Sequence, residues 1–137
     1  EHPPRPCGLV REIIPRSPAV ARVVVEVPHT GEALLSWFDV APYRSNHHSA
    51  DHLYYFTPRT LKAMLERAGL RVLVETQLQR YALGNTFGWL REGRGGGQDR
   101  WPVFNDKNFH DAYEAALAKA GVADSLFIVA QPVGLTA

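Results

Sequence analysis

His52-Leu53-Tyr54-Tyr55-Phe56-Thr57-Pro58-Arg59-Thr60-Leu61-Lys62-Ala63-Met64-Leu65-Glu66-Arg67-Ala68-Gly69-Leu70-Arg71-Val72-Leu73 is the stretch on which the fold turns. The Thr57 hydroxyl suits an N-cap, where it accepts from an orphan N–H of the first helical turn. Pro58 suits the first helical position, where a missing N–H is harmless. Leu61, Met64, Leu65 and Ala68 recur at helical spacing and predict one buried face. Gly69 is a left-handed stop. The apolar run from Leu70 towards Leu78 predicts a strand. A helix running directly into a strand points to an α/β layer architecture.

Working upstream, Arg22–Val27 is almost all valine and ends at Pro28. It reads as a strand buried on both faces, as in a parallel sheet. Gly8–Ile14 predicts a short helix ending before Pro15. Glu1–Pro6 reads as irregular, Pro15–Ala21 as a turn, Gly31–Val40 as a short helix or lid-like segment, and Tyr43–Asp51 as a polar loop. Downstream, Gln79–Leu90 is mixed, a strand start continuing as helix. Arg91–Arg100, with Gly93, Gly95, Gly96 and Gly97, reads as a flexible surface loop without the strand–turn–helix setting of a phosphate loop. Asn105 or Asp106 caps a helix to about Ala120, with Phe109, Tyr113, Ala116, Leu117 and Ala120 inward and Gly121 as its stop. Ser125–Ala130 is a last strand, closed by Pro132.

The 137 residues are enough for one domain, 1–137, with its own core. A hydrophobic share of 45% and a charged share of 21% are those of a globular chain. A net charge of +1 without a basic block argues against a nucleic-acid partner. No apolar run approaches the ~20 residues of a membrane span. The lone Cys7 and the lack of a secretory signal fit a cytoplasmic location. The chain opens on Glu1 and not on Met, so a processed or truncated domain is expected.

The segment "HLYYFTPRTLKAMLERAGLRVL" resembles the one after strand five of class I S-adenosylmethionine-dependent methyltransferases. Glu1-His2 stands where that family has E-H after strand four, and Pro6 where a proline follows. Leu9–Ile13 is similar to the next helix, Arg22–Pro28 to strand five, Leu70–Leu78 to strand six, and Ser125–Ala130 to the antiparallel strand seven. The resemblance implies an α/β fold: the C-terminal part of a Rossmann-like seven-stranded sheet, with about three strands and flanking helices. It implies methyl transfer to a small-molecule acceptor, this chain supplying the acceptor-side half. The glycine-rich turn and the ribose-holding acid would both lie ahead of Glu1. The P-G-G before strand five is replaced by Ser17-Pro18-Ala19-Val20-Ala21.

His47, His48 and His52, with Asp51 among them, form either a metal-binding loop or a polar loop beside a pocket. Some hydroxyl-methylating members of the family carry E-x-x-E-H and a later His before an aromatic pair. That resemblance implies Glu1, His2 and His52 as ligands of a divalent metal, with Glu1 and His2 on the cofactor side. Without a metal, His52 is the catalytic general base. Trp37, Tyr43, Tyr54, Tyr55 and Tyr81 line an acceptor pocket or simply pack. Arg80, Tyr81, Asn85 and Trp89 are similar to a "Q-R-Y-x-L-x-N-x-hh-W-L" block in relatives, for acceptor contact or packing. The rival expectation is a non-catalytic α/β fragment or oligomerisation module without a cofactor. The bare valine edge of Arg22–Val27 predicts a homo-oligomer, or pairing with a missing N-terminal half.

Overall fold

The computed structural model describes residues 1–16 and 22–133, with the side chains of Pro15 and Arg16 excepted. The expected turn at Ser17–Ala21 lies outside the described residues. The order of elements is α1 (Pro6–Arg16), β1 (Val23–Pro28), α2 (Ala33–Ser36), α3 (Ala41–His47), α4 (Pro58–Arg67), β2 (Leu70–Leu78), α5 (Leu83–Glu92), α6 (Gly97–Arg100), a 3-10 turn (Pro102–Asn105), α7 (Lys107–Ala120) and β3 (Ser125–Pro132).

The deciding stretch folds by its local signals. Thr57 and Thr60 form a reciprocal capping box at the start of α4. Gly69 takes φ +92°, turning the chain into β2. Leu61 and Leu65 are fully buried against Val27, Phe56, Leu70, Leu126, Ile128 and Ala130, with Val10, Ile14 and Met64 alongside. Burying each leucine contributes about 1.5–3 kcal/mol. This is the main core, between the sheet and helices α1 and α4.

The three strands lie in the order β1-β3-β2, and β3 is antiparallel to both neighbours. β1 and β2 therefore run in the same direction, so the carboxyl ends of both emerge at the same side of the sheet. That is also where β3 begins, Ser125 pairing with Pro28 and Leu78.

Several expectations are corrected. β1 is not buried on both faces: Val23, Val25 and Val27 pack inward, while Val24 is 59% exposed. Among the described residues its ladder is antiparallel, because the neighbouring β3 runs against it. Helix α1 does not stop before Pro15 but reaches Arg16, since a proline in the last turn removes only one helical bond. Tyr43–Asp51 is not all loop: α3 covers Ala41–His47, with Pro42 in its first turn and Tyr43 and His47 buried four residues apart on one face. Asp106 caps α7 through the Phe109 amide at 3.1 Å, but of the expected inner face only Leu117 is buried and Tyr113 half-buried. The glycine-rich segment is not a loose loop. Gly97 is buried where any Cβ would strike the Gly84 carbonyl, so glycine is what lets α6 press against α5.

The outer edge of β1 pairs with no strand among the described residues. The other edge strand, β2, carries a bulge between Val72 and Val74 in its pairing with β3. A bulge blunts an edge, whereas β1 has none. Self-association through β1 is the expected result in sedimentation at high concentration, and Val24→Lys should return the chain to monomer. A wild-type monomer at every concentration would refute it.

Candidate functional site

A cavity of about 670 Å³ opens at the carboxyl ends of β1 and β2. Val27 and Pro28 of β1, Asp124 and Ser125 at the start of β3, and Arg80 and Tyr81 after β2 form one side. Tyr43 and His47 of α3, Asn85 and Trp89 of α5, and the Gly95–Gly96 turn form the other. Tyr43 meets Trp89 edge-on with ring centroids 5.0 Å apart, which fixes an aromatic corner.

Asp124 holds the wall together. Its carboxylate accepts from the backbone N–H of Arg80 at 3.0 Å, that of Tyr81 at 3.1 Å and the Ser125 hydroxyl at 2.8 Å. Burial raises its pKa above the usual carboxylate value, and these donors pull it part of the way back. Arg80 itself turns to Glu26 in a two-pronged ion pair at the rim. The Asn85 side-chain oxygen accepts from the Gly96 N–H at 3.1 Å and pins the glycine turn.

The N-terminal segment reaches the same cavity by backbone pairing. The Glu1 carbonyl accepts from the Leu53 N–H at 2.9 Å, and the Tyr54 hydroxyl donates to the Pro4 carbonyl at 2.7 Å. This lays Glu1 and His2 beside His52, some fifty positions along the chain. His2 Nδ1 bonds the Asp51 carbonyl at 2.8 Å, and His52 Nδ1 bonds the His47 carbonyl at 3.1 Å. A carbonyl only accepts, so Nδ1 carries a proton in both rings, and Nε2 is the nitrogen left to face a ligand. The Nε2 of His2 lies 3.4 Å from a Glu1 carboxylate oxygen. One ligand atom from each of Glu1, His2 and His52 falls within 4.8 Å of the others. Two imidazoles oriented by backbone carbonyls beside one carboxylate fit a divalent transition metal.

Of the residues singled out in sequence, Glu1, Tyr43, His52, Arg80, Tyr81 and Asn85 meet on this cavity. Trp37 is 57% exposed and away from the lining, and Tyr54 is on the surface tied to Pro4. Tyr55 is half-buried behind the site, stacked edge-on against His48 with its hydroxyl on the Ser49 carbonyl. None of these three lines the cavity. His48 is exposed, and Asp51 offers only its backbone carbonyl.

Glu32 and Asp124 carry no signal in the sequence. Glu32 caps α2 by accepting from the Leu34 N–H at 2.9 Å and is 3% exposed. Burial pushes its pKa up to about 7. Burial, reinforced by His48 and His52 nearby, lowers that of His47 to about 4. The Glu32 carboxyl and the Tyr43 ring share a second, small void of about 10 Å³ with Asp124, Asn85 and Tyr113.

No helix among the described residues is long and apolar enough to cross a membrane. Comparison with known proteins finds neither a family model nor a curated sequence that matches the chain.

Proposed function

We propose that this chain supplies the acceptor-side half of an S-adenosylmethionine-dependent methyltransferase acting on a small molecule. The observation that carries the reading is the placement of the cavity. It lies outside the carboxyl ends of two strands that run the same way, where open α/β sheets bind their ligands. The residues named by the resemblance (His52, Arg80, Tyr81 and Asn85) converge there from separate elements, with Tyr43 beside them. A volume of about 670 Å³ is that of a small-molecule site.

The methyl donor does not fit the residues present. The described β1–α2 turn, Pro28-His29-Thr30-Gly31-Glu32, has a single glycine and leads into a helix of only 4 residues. Residues outside these 137 would hold the donor. The task of this chain is to seat the acceptor, exclude water and receive its proton. S-adenosylmethionine is therefore expected to bind the 137 residues alone no more tightly than about millimolar, an affinity near −4 kcal/mol. Calorimetry reads this directly, and micromolar binding to the isolated chain would refute the division of labour. The reading itself is tested with labelled methyl donor and a panel of hydroxyl- and amine-bearing small molecules. The polypeptide must include a glycine-rich strand–turn–helix ahead of Glu1. Absence of transfer to every acceptor overturns the reading.

Glu1, His2 and His52 would hold a divalent metal, whose chemistry there is to polarise an acceptor oxygen. Zinc or manganese titrated into the chain should bind, and His52→Ala should weaken that binding by at least about 100-fold, since it removes one of three ligands. Equal binding by the variant would leave His52 as a general base without metal.

A further inference from the structure

Behind the acceptor cavity lies an acidic side chain that the reading above does not use. Glu32 is 3% exposed, and only one of its oxygens is occupied, by the Leu34 N–H. The other, Oε1, is buried with no hydrogen-bond partner. Tyr43 stands between Glu32 and the cavity. Tyr43 lines both the large cavity and the small void that Glu32 also lines. Tyr43 and Glu32 line the same void, and Oε1 is the carboxylate oxygen left without a partner there. The ring is held edge-on against Trp89 and tilted against His47, so its direction is set by packing. A void of about 10 Å³ is close to the space of one water, which is enough to complete the contact.

An acceptor hydroxyl or amine that gains a methyl group must lose a proton. If His52 Nε2 serves as a metal ligand, that nitrogen is not free to take it. The geometry points to the Tyr43–Glu32 pair as the proton acceptor of this site, an inference that rests on the methyl-transfer reading. The step balances within the protein. The acceptor's proton passes to the Tyr43 oxygen as the Tyr43 hydroxyl proton passes to Glu32, and Tyr43 ends as it began. Glu32 goes from carboxylate to carboxylic acid, and the acceptor's lone pair is freed for the incoming methyl. Burial holds the Tyr43 phenol well above its usual pKa, so it relays the proton without itself staying ionised. Glu32, raised to about 7, is matched to take a proton near neutral pH. The groups that face this carboxyl are Tyr43 from α3, Asp124 at the start of β3, Tyr113 from α7 and Tyr81 after β2. None of them is a cation that would hold Glu32 permanently charged.

The test needs no methyl donor. 4-Nitrophenol is titrated into the chain, and the absorbance of its phenolate reports whether the bound probe has lost its proton. At about pH 8 the bound probe should be largely phenolate in the wild type. Glu32→Gln and Tyr43→Phe should each lower its phenolate-to-phenol ratio by at least about tenfold, while still binding the probe. Glu32→Asp should restore part of the ratio. Gln keeps the α2 cap and Phe keeps the ring, and circular dichroism checks that both variants fold. The inference is overturned if the ratio is unchanged in both variants, if it falls only in His52→Gln, or if the wild type does not bind the probe. Failure of methyl transfer with a normal probe response would count against the methyltransferase reading alone.

Discussion

Asp124→Ala should lower the stability of the chain by about 3–5 kcal/mol and collapse the cavity at the carboxyl ends of β1 and β2. The side chain is 7% exposed and accepts from two consecutive backbone amides, Arg80 and Tyr81, that no strand or helix satisfies. Removing it strands both N–H groups in a partly buried turn, and each unsatisfied donor costs about 1–3 kcal/mol. The Ser125 hydroxyl loses its acceptor as well. The raised pKa of Asp124 means that its charge is itself held at a penalty, so the loss comes from the orphaned partners and not from the missing charge. Asp124→Asn is therefore the milder change, because an amide oxygen still accepts from at least one of the amides. Urea midpoints should rank wild type, then Asn, then Ala. Equal stability of the Ala variant would mean that the turn after β2 finds other partners, and that Asp124 does not hold the wall.

What is legible in the sequence is local. Thr57, Gly69, Asp106 and Gly121 each carry a backbone conformation or a capping bond that one residue determines, and all four helix ends fall where they predict. The last strand is expected to be antiparallel, and it runs against both of its neighbours. What is not legible depends on partners distant in the chain. Whether the β1 valines are covered on one face or two depends on which helices lie over the sheet. Gly97 belongs to a composition that reads as a flexible loop until α6 is seen to touch α5 at Gly84 and Gly88. α3 is hidden because only Tyr43 and His47 mark its buried face among polar neighbours. The site divides the same way. His52, Arg80, Tyr81 and Asn85 stand out by side-chain type and by a resemblance in order. Glu32 and Asp124 are ordinary surface acids by type, and only their burial makes them chemically distinct.

Glu32→Gln should stabilise the chain above neutral pH by about 2–3 kcal/mol and leave it unchanged or slightly weaker in acid. The folded-state pKa of Glu32 is about 7 against an ordinary 4.5. A raised acid stabilises the folded state fully below its unfolded pKa, and that contribution is lost as pH rises through the folded value. A tenfold difference in proton affinity between the folded and unfolded states is worth about 1.4 kcal/mol, and relaxation around a part-buried group trims the total. Gln is never charged, so its own contribution is flat across the window. His47 acts in the opposite sense. Its lowered pKa of about 4 makes the fold lose stability as pH falls below the ordinary imidazole value. That loss is common to both proteins and cancels in their difference. Urea midpoints of wild type and variant at about pH 4.5 and about pH 8 isolate Glu32. A difference independent of pH would mean that the carboxyl is not buried in solution. A carboxyl that weakens the fold at working pH, when its amide would not, is not explained by packing. Its cap on α2 needs only one oxygen, which Gln supplies equally well. What Gln lacks is the ability to take up a proton, and that is the property the Tyr43–Glu32 pair would use.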